Sequence, residues 1–325
     1  MDILFDEIPS LDLADFTAGT PEQKTAFVKK LGAAYQNIGF VAIKNHGLSK
    51  DLQDRLYNSI KAFFTLPDEI KKKYEKPEIG YQRGYTGKGK EHAKGRNTGD
   101  LKEFYHVGQE TSLIPDTDSV KNEYPENLWP SEIEGFQNDA IEAYQTLENA
   151  GKAMLRAIAL NLELPEDYFE DKVAYGNSIL RQIHYFPIEN PDEVPADAVR
   201  AAEHGDINLI TLLMGASADG LQVLRKDGKW IPITALPDQL VVNVGDMLER
   251  LTNKKLKSTI HRVVNPPREM MHTSRYSIPF FMHPRSEMDL TCLESCIDET
   301  HPKQFTDVTA GEFLDERLRE LGLKK

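Results

Sequence analysis

Positive charge is scarce in this chain: 39 lysines and arginines face 52 aspartates and glutamates, a formal net charge of −13 at pH 7. Phosphate binding needs a concentrated basic face, so the balance argues against a nucleic-acid partner and for a protein that stays in solution. Cysteine is scarcer still. Cys292 and Cys296, four apart near the end of the chain, read as reduced thiols rather than as a disulfide framework. No uninterrupted apolar run approaches the ~18 residues of a membrane span. The first residues, Met1-Asp2-Ile3-Leu4-Phe5-Asp6, lack the basic stretch and the apolar core of a secretion signal. No internal repeat or low-complexity tract stands out. Together these absences predict a soluble, cytoplasmic monomer with no membrane partner.

What is present suffices for an ordinary packed core, with 40% of the 325 residues hydrophobic and 9% aromatic. Thr20-Pro21-Glu22 supplies an N-cap and a proline at the first helical position, and Phe27, Leu31 and Tyr35 follow at helical spacing. Gly39 closes that helix, and Phe40-Val41-Ala42-Ile43 reads as a buried strand. A second helix starts at Ser49, with Leu52, Leu56, Ile60 and Phe63 on one face. The glycine- and lysine-rich stretch from Gly80 to Gly108 is no phosphate loop, since it lacks the Gly-Lys-Ser/Thr ending. Ser131-Glu132-Ile133-Glu134 has the form of a capping box and predicts a long helix from there.

After Pro165 the chain turns to short strands: Leu180 to Phe186, Ile207 to Met214, Leu221 to Leu224, Trp230 to Ile233, Leu240 to Val244, Thr259 to Val264 and Tyr276 to Phe281. Asp227-Gly228 is a hairpin dipeptide between two of them. Ala310 to Leu321 reads as a closing amphipathic helix. The expected class is α+β: a double-stranded β-helix (jelly-roll) core, flanked by amino-terminal helices and closed by a carboxy-terminal one. We expect residues 1–165 to form a helical and mixed region and 166–325 the jelly-roll core. The two should make one cooperative unit, because the long helix needs a sheet to bury its face.

Two stretches of the strand-rich half carry candidate metal ligands, Glu203-His204-Gly205-Asp206 and Thr259-Ile260-His261-Arg262-Val263. Residues i and i+2 of a strand share a face, so His204 and Asp206 reach one point if their stretch is the rim of a strand. His261, 55 residues after Asp206, lies in a second apolar strand that must arrive at the same point. Two histidines and one carboxylate on one face of a metal leave three positions open, the arrangement suited to non-haem iron(II) reacting with oxygen. The carboxylate argues against structural zinc, which closes with four protein ligands and favours cysteine. His46 reads as a turn residue, His184 as facing away from Tyr185, and His283 as a loop residue rather than a fourth ligand.

With these motifs the chain resembles the isopenicillin N synthase-like family of iron(II)/2-oxoglutarate-dependent oxygenases. The matching pieces are Leu180-Arg181-Gln182-Ile183-His184-Tyr185, the His204/Asp206/His261 triad, Leu221-Gln222-Val223-Leu224, Val241-Val242-Asn243-Val244-Gly245-Asp246-Met247-Leu248 and Arg275-Tyr276-Ser277. Gly39-Phe40-Val41-Ala42-Ile43-Lys44-Asn45-His46-Gly47 and Gly80-Tyr81-Gln82-Arg83-Gly84-Tyr85 match in the amino-terminal half. The resemblance implies a jelly roll with Fe(II) at its mouth and 2-oxoglutarate and O2 as co-substrates. An unactivated C–H bond of a small molecule would be oxidised, by hydroxylation as the default, with release of succinate and CO2 and no catalytic residue beyond the metal centre. It further implies that Arg275 and Ser277 hold the distal carboxylate of 2-oxoglutarate, a task suited to the planar fork of arginine, and that Tyr185 supports the co-substrate.

The sequence departs from the family pattern at Ile183, where plant-type members carry asparagine, and at Phe186, where proline is common. Asn243 and Asp246 follow the pattern and read as strand and turn architecture. In the resembling family the region of residues 83–102 lies over the barrel mouth. Here it concentrates Arg83, Lys88, Lys90, Lys94, Arg96 and Lys102, which predicts a basic lid for a carboxylate-bearing substrate. The expected pocket comprises Tyr81, Arg83, Tyr85, Lys102, Phe104 and Phe281. Two alternatives stay open at this point: an oxidase of the same fold that dispenses with 2-oxoglutarate, and a non-catalytic jelly-roll binding protein.

Overall fold

The computed structural model describes residues 5–90, 102–188, 190, 199–214, 220–233, 236 and 238–320. The chain opens with β1 (Ser10–Asp12), α1 (Leu13–Thr17) and α2 (Pro21–Asn37), then β2 (Phe40–Lys44), α3 (Lys50–Phe64) and α4 (Asp68–Lys71). Next come β3 (Gly84–Thr86), β4 (Lys102–Gly108), the long α5 (Phe136–Asn161) and the short α6 (Glu170–Val173). The strand-rich half runs β5 (Ile179–Tyr185), β6 (Ala201–His204), β7 (Ile210–Met214), β8 (Leu221–Leu224), β9 (Trp230–Pro232) and β10 (Leu240–Val244). It ends with α7 (Asp246–Leu251), β11 (His261–Val263), β12 (Arg275–Met282) and the closing α8 (Ala310–Glu320).

Local chemistry sets the helix boundaries. Thr20 and Gln23 cap α2 reciprocally, Gln23 N donating to Thr20 Oγ1 at 3.3 Å and Thr20 N to Gln23 Oε1 at 2.8 Å. Ser49 Oγ accepts from Leu52 N at 3.1 Å and starts α3. One expectation fails. The long helix α5 begins at Phe136, not at Ser131, behind Gly135 in a left-handed conformation and with no side-chain cap. The Tyr74 hydroxyl claims the backbone donor that Glu134 would have capped, accepting from Ser131 N at 3.2 Å while it donates to Glu132 Oε2 at 2.5 Å.

Eight strands form one sheet in the order β1-β2-β10-β7-β12-β5-β4-β3, and four form a second, β6-β11-β8-β9. Strands from both halves of the sequence therefore share the larger sheet. Its inner face meets the smaller sheet through an apolar cluster that includes Phe104, Ile183, Tyr185 and Val241 on one side and Ala201, Val223, Ile231 and Val263 on the other. Its outer face buries Leu212, Val242, Phe280 and Met282 in a larger core with residues of α2, α3 and α5. This is the α+β jelly roll with flanking helices expected from the strand pattern.

Register decides which side chains look inward. Tyr185 lies opposite both Arg275 and Lys102, Ile183 opposite Ser277 and Phe104, and Ile179 opposite Phe281 and Gly108. Because side chains alternate along each strand, positions 102, 104 and 106, positions 179 to 185 by twos, and positions 275, 277 and 281 face the interior. Glu103, Tyr105, His184, Tyr276, Phe280 and Met282 take the helix side, which is where Tyr105, Phe280 and Met282 join the outer core.

Candidate active site

His204 and His261 meet because β6 and β11 run antiparallel with these two residues directly paired. Their ring centroids are 4.4 Å apart. The strand β6 ends at His204, so Asp206 does not reach the site by i, i+2 alternation as the sequence suggests. The bend at 205–209 delivers it instead, held by Asp246 N donating to Asp206 O at 2.7 Å and Gly245 N to Leu209 O at 2.9 Å. One ligand atom from each of His204, Asp206 and His261 falls within 4.8 Å of the others.

The donor set is prepared for a cation. His204 Nδ1 lies 2.7 Å from Ala202 O and His261 Nδ1 3.2 Å from Thr259 O, so each ring donates there and keeps its lone pair on Nε2. Those Nε2 atoms stand 4.0 and 3.8 Å from Asp206 Oδ1. The other oxygen, Oδ2, is occupied: Thr211 Oγ1 donates to it at 2.7 Å and Asn243 Nδ2 at 2.8 Å. Asn208 Nδ2 donates to Thr211 Oγ1 at 3.0 Å, which directs the Thr211 hydroxyl hydrogen toward the carboxylate. Burial works to raise the pKa of Asp206, but the neighbouring His261 and His204 and these two donors hold it below the usual carboxylate value. Loss of solvation among the surrounding protein atoms, then the adjacent His261, pushes His204 down to about 4, although half of its side chain stays open at the cavity. Two imidazoles that present Nε2 and one ionised, oriented carboxylate fit a divalent iron with three positions left over.

On the interior face Arg275 lies directly across from Tyr185, its Cζ 4.9 Å from the tyrosine ring centroid. Ser277 follows two residues on, and all three side chains are buried. Ile183, in place of a polar residue, packs in the apolar cluster beside them.

A cavity of about 440 Å³ opens over His204 and Asp206 and is lined by Tyr81, Lys102, Phe104 and Phe281 among others. Arg181 shares its wall, with Cζ 4.4 Å from the Phe104 ring centroid and 5.4 Å from that of Phe281, and Nε donating to His106 Nε2 at 2.6 Å. Leu314, Arg317 and Leu318 of α8 form part of the rim.

Arg83 and Tyr85, expected in the pocket, do not line it. Tyr85 pairs with Tyr105 in the β3–β4 register, which turns it to the helix face, where its hydroxyl donates to Glu103 Oε2 at 2.5 Å. Arg83 is completely buried with its guanidinium against Gly108, and Nη1 donates to Gln82 O at 2.8 Å. Of the proposed basic lid, Lys88 sits over the Phe186 ring at 5.3 Å, while Lys94 and Arg96 lie outside the described residues. Sequence reasoning also missed the grip of Thr211 and Asn243 on Asp206. Asn243 belongs to a motif that signals only strand and turn architecture; its pairing opposite Thr211 across β10 and β7 is a register fact. Arg181 could have been found by counting back in twos from Tyr185.

Comparison with known proteins agrees with this geometry. A family model described as the 2OG-Fe(II) oxygenase superfamily matches residues 176–284, and one described as non-haem dioxygenase in morphine synthesis N-terminal matches 8–132. Proline hydroxylase buaE of Petromyces alliaceus is 32% identical over 96% of this chain and 98% of its own. The 2-oxoglutarate-Fe(II) type oxidoreductase ppzD of Metarhizium rileyi is 31% identical over 96% of this chain and 90% of its own. Among solved structures, a Caulobacter crescentus protein assigned to the 2OG-Fe(II) oxygenase family superposes with a TM-score of 0.85 at 43% identity, covering 96% of this chain and 98% of that one. A Neurospora crassa protein in complex with alpha-KG and thymine superposes with a TM-score of 0.83 at 30% identity, covering 96% of each chain.

Proposed function

The chain belongs to the 2OG-Fe(II) oxygenase superfamily, and from that premise we propose that it hydroxylates an unactivated C–H bond of a small, carboxylate-bearing molecule. Enzyme class, iron(II), O2 and 2-oxoglutarate come with the family; the bond and the substrate are our reading. When bound, the iron with O2 and 2-oxoglutarate supplies the oxidation, releasing succinate and CO2. The remaining work is positioning, and side chains of this chain would do it. His204, Asp206 and His261 would hold the metal, with imidazole tautomers and carboxylate orientation set by their hydrogen bonds. Arg275, Ser277 and Tyr185 would hold the co-substrate inside the barrel, away from water. No protein acid or base is required.

One observation carries the substrate class. The cavity wall beside the metal residues sets the Arg181 guanidinium against the Phe104 and Phe281 rings, and Lys102 lines the same cavity. Such a wall suits an apolar body with an anionic handle, the handle being drawn to the cations and the body packing on the rings. The relative called a proline hydroxylase supports the same class, since its namesake carries a carboxylate. The two cysteines, both buried and unpaired, support a reducing cytoplasmic setting.

The test is a screen of small carboxylic acids paired with their neutral amides, read as substrate-stimulated succinate release by the iron-loaded enzyme. We expect acids to outperform their amides, with the preference shrinking as salt rises. Lys102→Ala and Arg181→Gln should erase that preference. Amides that stimulate as well as acids in the parent protein would refute the substrate class while leaving the oxygenase intact.

A further inference from the structure

We propose that Arg200 is a second arginine of the co-substrate subsite, gripping the distal carboxylate of 2-oxoglutarate together with Arg275. The inference rests on the reading of Arg275 and Ser277 as that subsite and adds a residue that no motif in the sequence marks.

Arg200 stands immediately before β6, the strand whose far end carries His204. It is 2% exposed. Its Nη2 donates to Thr273 O at 2.9 Å, two residues ahead of Arg275, so the guanidinium is tied to the start of β12. Its Nε and Nη1 are buried and have no hydrogen-bond partner among the described residues. A guanidinium shut away from water with two N–H directions unused is a costly arrangement unless something fills them.

The surroundings say what that something is. Burial lowers the pKa of Arg200, the charge of Arg275 lowers it further, and Tyr185 opposes them. The residue therefore sits within electrostatic range of a second buried cation and of the tyrosine that flanks it, and no carboxylate among the described residues contributes. Two buried guanidinium groups, Arg275 on β12 and Arg200 tied to the residue two before it, repel each other until an anion joins them. A carboxylate has about four lone-pair directions, more than Arg275 and Ser277 alone take up, and Arg200 offers the planar donors to use the remainder. The expected consequence is selectivity: the enzyme should favour a 2-oxo acid with a distal carboxylate over one without by more than a single arginine provides.

The experiment uses the full-length protein with Fe(II) under anaerobic conditions, following the visible charge-transfer band as a 2-oxo acid is added. 2-Oxoglutarate is compared with 2-oxobutanoate, which keeps the chelating end and lacks the distal carboxylate. Arg200→Gln should raise the half-saturation for 2-oxoglutarate by about 10- to 100-fold, the range for a lost charge-assisted hydrogen bond. It should leave 2-oxobutanoate unchanged. Combined with Arg275→Gln it should cost less than the product of the single effects, because both act on one carboxylate. Normal 2-oxoglutarate binding in Arg200→Gln beside weakened binding in Arg275→Gln overturns the proposal and leaves the subsite reading intact. Equal weakening for both 2-oxo acids also overturns it, by showing a merely structural role. If neither variant affects 2-oxoglutarate, the subsite reading itself falls. Should Arg200→Gln not fold, Arg200→Lys takes its place, with weakening confined to 2-oxoglutarate expected and unchanged affinity overturning the idea.

Discussion

Consider the effect of removing the amide that steadies the one carboxylate of the metal site. Asn243 is buried on β10, and its Nδ2 donates to Asp206 Oδ2 at 2.8 Å, next to the Thr211 hydroxyl at 2.7 Å. Substituting Asn243→Ala removes a hydrogen bond to an ionised group, worth roughly 1.5–3 kcal/mol. Two effects then compete at the metal. A carboxylate with one donor fewer is more basic and attracts a cation more strongly. The same carboxylate, held by Thr211 alone, is free to swing, and Oδ1 no longer faces the Nε2 atoms of His204 and His261. Orientation should win, because partners of this kind typically contribute about 10- to 100-fold in metal affinity, which matches one to two decades from the hydrogen bond at ~1.4 kcal/mol per decade. Competition against a chelator under anaerobic conditions would measure Fe(II) affinity, with circular dichroism melts to establish that the variant is folded. Thr211→Val should act in the same direction, and the double variant should fall short of the summed effects. A folded Asn243→Ala protein that binds iron as tightly as the parent would refute the reasoning.

Further outcomes are expected elsewhere. Glu103 is buried and accepts from Lys71 Nζ at 2.9 Å, Tyr85 Oη at 2.5 Å and His184 Nδ1 at 2.8 Å. Burial works to raise its pKa, but the donors led by His184 outweigh it and hold the value below 4.5. Its stabilisation is therefore complete above pH 4.5 and lost as pH falls through the lower folded value. Glu103→Gln should cost about 1–3 kcal/mol near neutrality by taking the ionised acceptor away from these three donors, Asp68 at 3.1 Å remaining as the other carboxylate of Lys71, with the gap to the parent closing in acid; a gap independent of pH in urea titrations would count against this. Gly108→Ala would place a Cβ 2.0 Å from Arg83 Cζ, and such overpacking should lower stability by about 1–3 kcal/mol; an unchanged denaturant midpoint would contradict it. His204→Ala, Asp206→Ala and His261→Ala should each abolish iron-dependent 2-oxoglutarate turnover while keeping one cooperative thermal transition, and full activity in His261→Ala would sink the triad assignment.

Local signals were legible where the deciding chemistry is local. The Thr20 cap, the Ser49 cap, the stop at Gly39 and the short strands from Leu221 to Leu224 and Leu240 to Val244 all lie where the sequence places them. The ligand spacing likewise led to residues that converge. What failed depended on distant partners. The Ser131 box was pre-empted by Tyr74, a residue 57 positions away. Arg83 and Tyr85 belong to a stretch whose register against β4 no local pattern reveals, and one residue of register separates the cavity from the helix side. The strand expected to begin at Ile207 begins at Ile210, because residues 205–209 are spent on the bend that brings Asp206 to the histidines.

The alternation along β4, β5 and β12 bears on how such an enzyme can change over generations. Interior positions 102, 104, 106, 179, 181 and 281 border the cavity, while their neighbours 103, 105, 180, 184, 280 and 282 face the helices. Point substitutions at the first set can therefore retune what the cavity admits while leaving the packing against the helices untouched. An insertion or deletion of a single residue within any of these strands has no such freedom. It would exchange the two sets, sending Glu103 or His184 into the cavity and Arg275 into the helix layer. Divergence of substrate choice on this scaffold is thus expected to proceed by alternate-site replacement and by changes of loop length, with the lengths of these three strands held constant.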